Sequence, residues 1–329
     1  MEMSAFKVMV TDDRYGSYAE EQTVLNGIGA ALEIRNLASE QEALEALEQA
    51  DGILVNLFPL NARIIAGLRR CKVISRYGVG YDNVDVQEAT RRGIWVARVP
   101  DYCSQDASDH ALALLLACVR KIAYKDRKVR QGKWNLHKDQ PCHRIEGRTL
   151  GLIGYGAVAR LLHRKVSGLA LARVLAYDPY VEPARIAESG ALPVDLRTLL
   201  GESDFISVHA TLSPETRGLI GAEELASMKK SAILINTARG PIVDERALAE
   251  ALREGRIAGA GLDVFQSEPL PPDSPLRSLD TVTFTDHAAW YSEQSLPELK
   301  TKAARNVAAV LAGGEPIYPV NRPAPAAGA

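Results

Sequence analysis

The sequence predicts an α/β protein made of two doubly wound parallel-sheet domains with a cleft between them. Three observations predict this. From Lys7 onward, short apolar runs alternate with longer amphipathic ones, the pattern of parallel strands joined by helices. The runs fall into two series, one ending near Val99 and one starting at Thr149. The length of 329 residues exceeds what one ordinary domain takes, and 47% hydrophobic residues suffice to fill more than one core.

The first series is KVMVT, ALEIRN, GILVN, KVISRYG and IWVARV, with Ala/Leu/Glu-rich connections such as SEQEALEALEQ. Between Ser104 and Gln131 the segment SQDASDHALALLLACVRKIAYKDRKVRQ predicts one long helix bridging the two domains. It opens with Ser and acidic residues and closes with basic ones, as the helix dipole favours. Its apolar centre, ALALLLACV, is too short to span a bilayer and reads as a buried helix. The second series is TLGLIG, RVLAYD, FISVHA, AILINTA, GAGLDVF and TVTFTD, separated by helices such as AEELASMKK and ERALAEALREGR. After His287 comes a last helix, SLPELKTKAARNVAAVLAG, and a Pro/Ala tail, NRPAPAAGA, expected to fray.

Charge and cysteine usage exclude several function classes. With 39 basic and 41 acidic residues, the net charge of −2 leaves no excess of cations for a nucleic-acid backbone or an anionic membrane surface. Cys71, Cys103, Cys118 and Cys142 form no CxxC and no paired short spacings, so neither a metal site nor a disulfide framework is expected. The start, MEMSAFKVMVTDD, lacks the long apolar stretch of a signal peptide or membrane span, and a reducing cytoplasm is the expected location.

Gly154-Tyr-Gly156-Ala157-Val158-Ala159 follows the run TLGLI and precedes the helical pattern VARLLHRKVSGL. A G-x-G-x-x-A turn between strand and helix is the arrangement of a Rossmann-like pyrophosphate site. Gly154 permits the tight turn, Gly156 lets the backbone approach the pyrophosphate, and the small Ala159 lets the helix pack closely on its strand. The helix N-terminus then offers N–H groups and a positive dipole end to the phosphates. Glycine turns also join strands to helices in folds that bind no nucleotide. Against that reading stands Asp178, 19 residues after Ala159 at the end of RVLAYD. Its carboxylate can accept from the ribose hydroxyls and repel a 2′-phosphate, which favours NAD over NADP.

Ligands of open α/β sheets bind beyond the carboxyl ends of the strands, so polar residues just after each run are the candidates for chemistry. Thr237, Ala238 and Arg239 follow AILIN, Glu268 follows GAGLDVF, His287 follows TVTFTD and His209 follows FISV. A guanidinium fork can pair with the carboxylate of a 2-oxo acid while polarising its carbonyl, which suits Arg239. Reduction also needs a proton, and a histidine, with a pKa of roughly 6.5, can exchange one near neutrality. A neighbouring carboxylate would fix the ring, so Glu268 and His287 make sense as a pair. His110 and His163 lie inside helical patterns and read as structural. The residues alone do not rank His209 below His287.

Together YGVGYDNVD (Tyr77 to Asp85), TLGLIGYGAVA, INTARGPIVDE, GLDVFQSEP and TDHAAW resemble the D-isomer-specific 2-hydroxyacid dehydrogenases over nearly the whole chain. The resemblance implies Arg239, Glu268 and His287 as the catalytic residues and puts His209 and Ala210 beside the cofactor rather than in the role of acid. It further implies that Val79 and Gly80 present backbone N–H groups to the substrate carboxylate, and that Asp263 with Thr237 to Arg239 faces the nicotinamide end. HAAWYSEQ, YDPY around Asp178 and RYGVGYDN from Arg76 look like the C-terminal-binding protein branch, corepressors that keep a dehydrogenase fold. That branch implies Arg76 as a carboxylate ligand and Trp290 in a pocket favouring an apolar or sulfur-containing 2-oxo acid. Glyoxylate and hydroxypyruvate also fit. Most relatives carry a basic or polar residue where this chain has Ala157, so one pyrophosphate contact is expected to be missing.

The resemblance implies a discontinuous, flavodoxin-like substrate domain from residues 1–100 and 288–329, and an NAD domain from 101–287 through which a homodimer forms. Two rival functions share this fold: an NAD-sensing, corepressor-like binding protein with residual activity, and a phosphite- or formate-type dehydrogenase.

Overall fold

The computed structural model describes residues 6–134 and 140–324 and divides them into two units, one built from the chain up to Cys103 together with the chain from Ser292, the other from Ser104 to Tyr291. The last residues of the Pro/Ala tail lie outside the described residues.

The first unit contains β1 (Phe6–Val10), α1 (Ala19–Asn26), β2 (Ala30–Ile34), α2 (Glu40–Leu47), β3 (Gly52–Val55), α3 (Ala62–Gly67), β4 (Val73–Arg76), α4 (Val86–Arg91) and β5 (Trp95–Ala97). Its five strands pair in parallel in the order β2-β1-β3-β4-β5, the flavodoxin-like order. Side-chain caps start three of its helices: Ser39, Asn61 and Asp85 each accept from an amide in the first turn of α2, α3 and α4.

The second unit contains α5 (Ser104–Arg120), α6 (Ile122–Arg130), β6 (Thr149–Ile153), α7 (Ala157–Lys165), β7 (Arg173–Tyr177), α8 (Pro183–Glu188), β8 (Leu192–Pro193) and α9 (Leu196–Glu202). It continues with β9 (Phe205–Val208), α10 (Ala222–Ser227), β10 (Ile233–Asn236), α11 (Glu245–Arg253), β11 (Gly259–Leu262) and β12 (Val282–Phe284). The seven strands run parallel in the order β12-β11-β10-β9-β6-β7-β8. Order reverses between β6 and β9, the switch point at which doubly wound sheets bind dinucleotides. Strands β6, β9, β10 and β11 are buried on both faces. One face is covered by Leu114 and Leu115 of α5, Leu162 of α7 and Ile186 of α8, the other by Leu199, Leu225 and Leu248 of α9, α10 and α11.

The long helix expected over Ser104–Gln131 is instead two helices broken at Lys121, which adopts a left-handed conformation (φ 56°). No glycine or proline marks the break. The Lys121 side chain is 8% exposed and its Nζ donates to the Ala258 carbonyl at 3.2 Å, tying the end of α5 beneath the start of β11. A tertiary hydrogen bond sets this boundary, and periodicity does not register it.

The chain returns to the first unit as α12 (Ser295–Leu311), which lays Leu299, Ala303, Ala304 and Val307 against α1, β3 and β4. Lys300, almost fully buried, pairs with Glu20 at 2.5 Å and Glu21 at 3.6 Å, and Tyr77 donates its hydroxyl to Glu21 at 2.9 Å. Asn306, fully buried, donates to the Arg98 carbonyl at 3.1 Å and to Ser75 Oγ at 3.3 Å, and accepts from the Tyr318 amide at 3.1 Å. Asn306→Ala would leave these groups buried without partners, so it is expected to destabilise the first unit by about 1–3 kcal/mol. A lowered unfolding midpoint in denaturant titrations followed in that unit is the check.

Candidate functional site

At the carboxyl end of β11 the chain enters Asp263, which is fully buried. Its Oδ1 accepts from Thr285 Oγ1 at 2.6 Å and the Ala288 amide at 2.9 Å, and its Oδ2 from the Ala289 amide at 3.1 Å. Its carbonyl accepts from the His287 amide at 2.8 Å. Burial alone would raise this carboxyl, but hydrogen bonds from His110, Thr285 and the two amides hold it below the usual carboxylate range. A nicotinamide contact at Asp263 would therefore share oxygens that the protein already uses. The turn so braced carries His287 at φ 59°, a left-handed conformation unfavourable for a histidine.

His287 Nδ1 lies 2.6 Å from Glu268 Oε2, and Glu268 Oε1 accepts from the Phe265 amide at 3.0 Å. Burial works to raise the Glu268 carboxyl, yet His287, the Phe265 amide and the Arg239 guanidinium together hold it below the ordinary range. Glu268 is thus an acceptor at neutral pH, and the ring nitrogen that it leaves unclaimed, Nε2, is the one for chemistry. Trp290 is half-buried and packs edge-on against Tyr291, ring centroids 5.6 Å apart.

Arg239 stands in a loop shaped by Asn236 at the end of β10. The Asn236 amide nitrogen donates to the Arg239 carbonyl at 3.0 Å, and its oxygen accepts from the Ala238 amide at 3.0 Å. Arg239 Nη1 donates to the Ala238 carbonyl at 2.8 Å, and Thr237 and Ala238 are half-buried. Gly240 lets this loop lie directly on its neighbour: a Cβ there would fall 1.9 Å from the carbonyl carbon of Phe265.

The fingerprint turn sits at the switch point. Gly154 has φ 84°, and a Cβ on it would come within 2.7–2.9 Å of His209 and Ala210 backbone. At Gly156, the N-cap of α7, φ is −75° and a Cβ would meet no atom within 4 Å. The fold itself therefore has no need of glycine at Gly156; the open space suits a pyrophosphate pressed against the backbone, with the amides of Ala157 and Val158 opening the helix. Asp178 Oδ2 accepts from the Tyr155 amide at 2.8 Å and Oδ1 from the Tyr180 amide at 2.9 Å. His209 Nε2 lies 2.9 Å from Ser207 Oγ, and burial pushes its imidazole down to about 4. A ring that is neutral at physiological pH is a poor proton donor.

In the first unit, Arg76 ends β4, is buried, and donates Nη1 to the Tyr77 carbonyl. As a carboxylate ligand it would exchange this internal bond for the substrate. Val79 is exposed and Gly80 partly so, leaving the backbone of that loop accessible.

The D-isomer specific 2-hydroxyacid dehydrogenase NAD-binding domain family matches residues 112–289. The glyoxylate reductase of Korarchaeum cryptofilum is 40% identical over 288 residues, covering 86% of each chain. This chain belongs to the D-isomer specific 2-hydroxyacid dehydrogenases. The D-3-phosphoglycerate dehydrogenase of Mycobacterium leprae is also 40% identical, over 89% of this chain, though the chain spans only about half (55%) of that relative's length. Among solved structures, the D-lactate dehydrogenase of Aquifex aeolicus complexed with NAD and lactic acid superposes with a TM-score of 0.83 at 27% identity, covering 93% of this chain and 96% of that one. The family's chemistry is that of NAD-dependent oxidoreductases.

Several site residues of this dehydrogenase escape sequence reasoning. Tyr155, the middle of the fingerprint, is buried with its hydroxyl 2.7 Å from His163 Nδ1 and 2.6 Å from Ser189 Oγ, pinning the turn to α7 and to the chain just after α8. Arg160 donates to the Tyr155 carbonyl at 3.0 Å and brings positive charge to the first turn of α7, which Ala157 lacks. Asn236 and Thr285 were open to the strand-end rule that found Arg239; His110 carried no signal.

Two glycines make a paired prediction. Gly156→Ala should fold with an unchanged thermal midpoint yet bind NADH at least about tenfold more weakly, by fluorescence titration. Gly240→Ala should lower stability by about 1–3 kcal/mol or more, because backbone must move.

Proposed function

We propose that this chain transfers hydride reversibly between NADH and a 2-oxo acid, with Arg239, Glu268 and His287 at the reacting carbon. The observation that carries the reading is the 2.6 Å pair of His287 and Glu268, held on the same sheet edge as the Arg239 loop. NADH, when bound, supplies the hydride. His287, charged and held by Glu268, gives its Nε2 proton to the carbonyl oxygen, and in the other direction takes it from the hydroxyl. Arg239 pairs with the substrate carboxylate and polarises the carbonyl, a role that a lysine's point charge fills less well. Recognition of the carboxylate is assigned to Arg76 and the Val79 and Gly80 amides of the first unit, and NAD to the second. Asp178 supports NAD over NADP, since its carboxylate would meet a 2′-phosphate. Homodimerisation through the second unit is supported by exposed Ile122 and Val129 on α6 and by exposed Trp134. Free cysteines, three of them buried, support a reducing cytoplasm. No helix among the described residues is long and apolar enough to cross a membrane.

The glyoxylate reductase relatives support a small substrate such as glyoxylate or hydroxypyruvate. Trp290 and the HAAWYSEQ segment, similar to the corepressor branch, support a larger apolar or sulfur-containing one and keep NAD sensing as the second reading.

NADH oxidation across a panel from glyoxylate and hydroxypyruvate to 4-methylthio-2-oxobutyrate and phenylpyruvate tests the proposal. Fast turnover of one oxo acid is expected. Tight NADH binding without turnover would favour the sensing protein, and NAD reduction by phosphite or formate the third class. His287→Asn, chosen because Asn tolerates a left-handed backbone, should retain NADH binding and lower kcat by about 10²–10⁴-fold. Unchanged turnover would remove His287 from the chemistry.

A further inference from the structure

His110 lies on α5, far in sequence from every residue of the proposed chemistry, yet it reaches the underside of the histidine turn. Its Nε2 is 2.9 Å from Thr285 Oγ1 and 3.4 Å from Asp263 Oδ1. The directions of these bonds follow from counting protons. The Ala288 and Ala289 amides can only donate, so the Asp263 carboxylate accepts from both. Thr285 Oγ1, 2.6 Å from Oδ1, spends its single hydroxyl proton on that carboxylate. Its oxygen is left to accept, and the group that meets it at hydrogen-bond distance is His110 Nε2, which must therefore carry a proton.

We propose that His110, acting through Thr285 and the buried Asp263 carboxylate, is a positioning residue that holds the left-handed turn carrying His287. The proposal rests on His287 being the proton donor, as inferred above. Three interactions of Asp263, with the amides of Ala288 and Ala289 and through its carbonyl with that of His287, are what offset the unfavourable φ of 59°. Thr285, backed by His110, fixes the rotation of that carboxylate through Oδ1, the oxygen that the Ala288 amide also uses. Loss of the Nε2 donor frees Thr285 to turn its hydroxyl away, so the carboxylate loses its brace and the turn relaxes. His287 then samples positions from which proton transfer is misaligned, while the fingerprint turn at the end of β6 is untouched.

The test uses three variants of the full chain. His110→Leu removes the donor at similar volume, Thr285→Val removes the hydroxyl, and His110→Gln restores an N–H at similar reach. Leu and Val should lower kcat by about five- to thirtyfold with KM and NADH affinity within about twofold of the parent, and Gln should recover most of the loss. Amide hydrogen exchange at Ala288 and Ala289 should accelerate in the Leu variant and return toward the parent in the Gln variant. In the parent protein, nitrogen-15 spectra of the histidines should show His110 protonated at Nε2.

Parental kcat and parental exchange in both His110→Leu and Thr285→Val would overturn the proposal. So would a fall in NADH affinity that matches the fall in kcat, or a His110 ring protonated at Nδ1 alone. If His110→Leu fails to fold, Thr285→Val and the ring spectra still decide. Should His287→Asn keep its turnover, the functional reading fails, whereas exchange and ring protonation continue to report on the turn itself.

Discussion

The second unit depends on one buried carboxylate. Asp263 ends β11 with no exposed surface, and an ionised group in such a place is tolerable only when donors surround it. The protein supplies them from a helix, a strand end and the turn carrying His287. That turn is thereby held in a backbone region uncommon for residues other than glycine, and His287 meets Glu268. The local strain and the buried charge are each unfavourable alone; together they define one conformation.

A similar logic runs along the rest of the sheet edge, in loops shaped by side chains that bond to the backbone. Asn236 folds the Arg239 loop back on itself by acting as donor and acceptor at once, and Asp178 gives one oxygen to an amide of the fingerprint turn and the other to an amide of its own loop. These side chains spend their polar atoms on the backbone, so the loops are shaped before any ligand arrives and less ordering remains to be done on binding.

Much of this was readable in the chain. Parallel strands place their carboxyl ends on one edge, so a rule that picks the polar residues just past each apolar run reaches Arg239, Glu268 and His287 without knowledge of their contacts, and both sheet orders agree with the alternation of strands and helices. The rule does not separate His209 from His287, because each follows a strand end, and it does not see that Asp263 turns inward. Lys121 shows another limit: an amphipathic pattern continues through it, and only a bond to Ala258, far along the sequence, breaks the helix. His110 reads as an ordinary helical histidine because its partners lie some 150 to 175 positions away.

The return of α12 to the first unit has a consequence for how the molecule is made. Every strand and helix of the second unit has left the ribosome soon after Tyr291 is added, so that unit can close its core as the chain grows. The first unit, synthesised earlier, cannot. The faces of β3 and β4 meant for Leu299, Ala303 and Val307 stay uncovered, and Glu20 and Glu21 lack the ammonium of Lys300, until α12 emerges. The first unit is thus made before the second yet packed after it, and during that interval an apolar sheet face is open to non-native association.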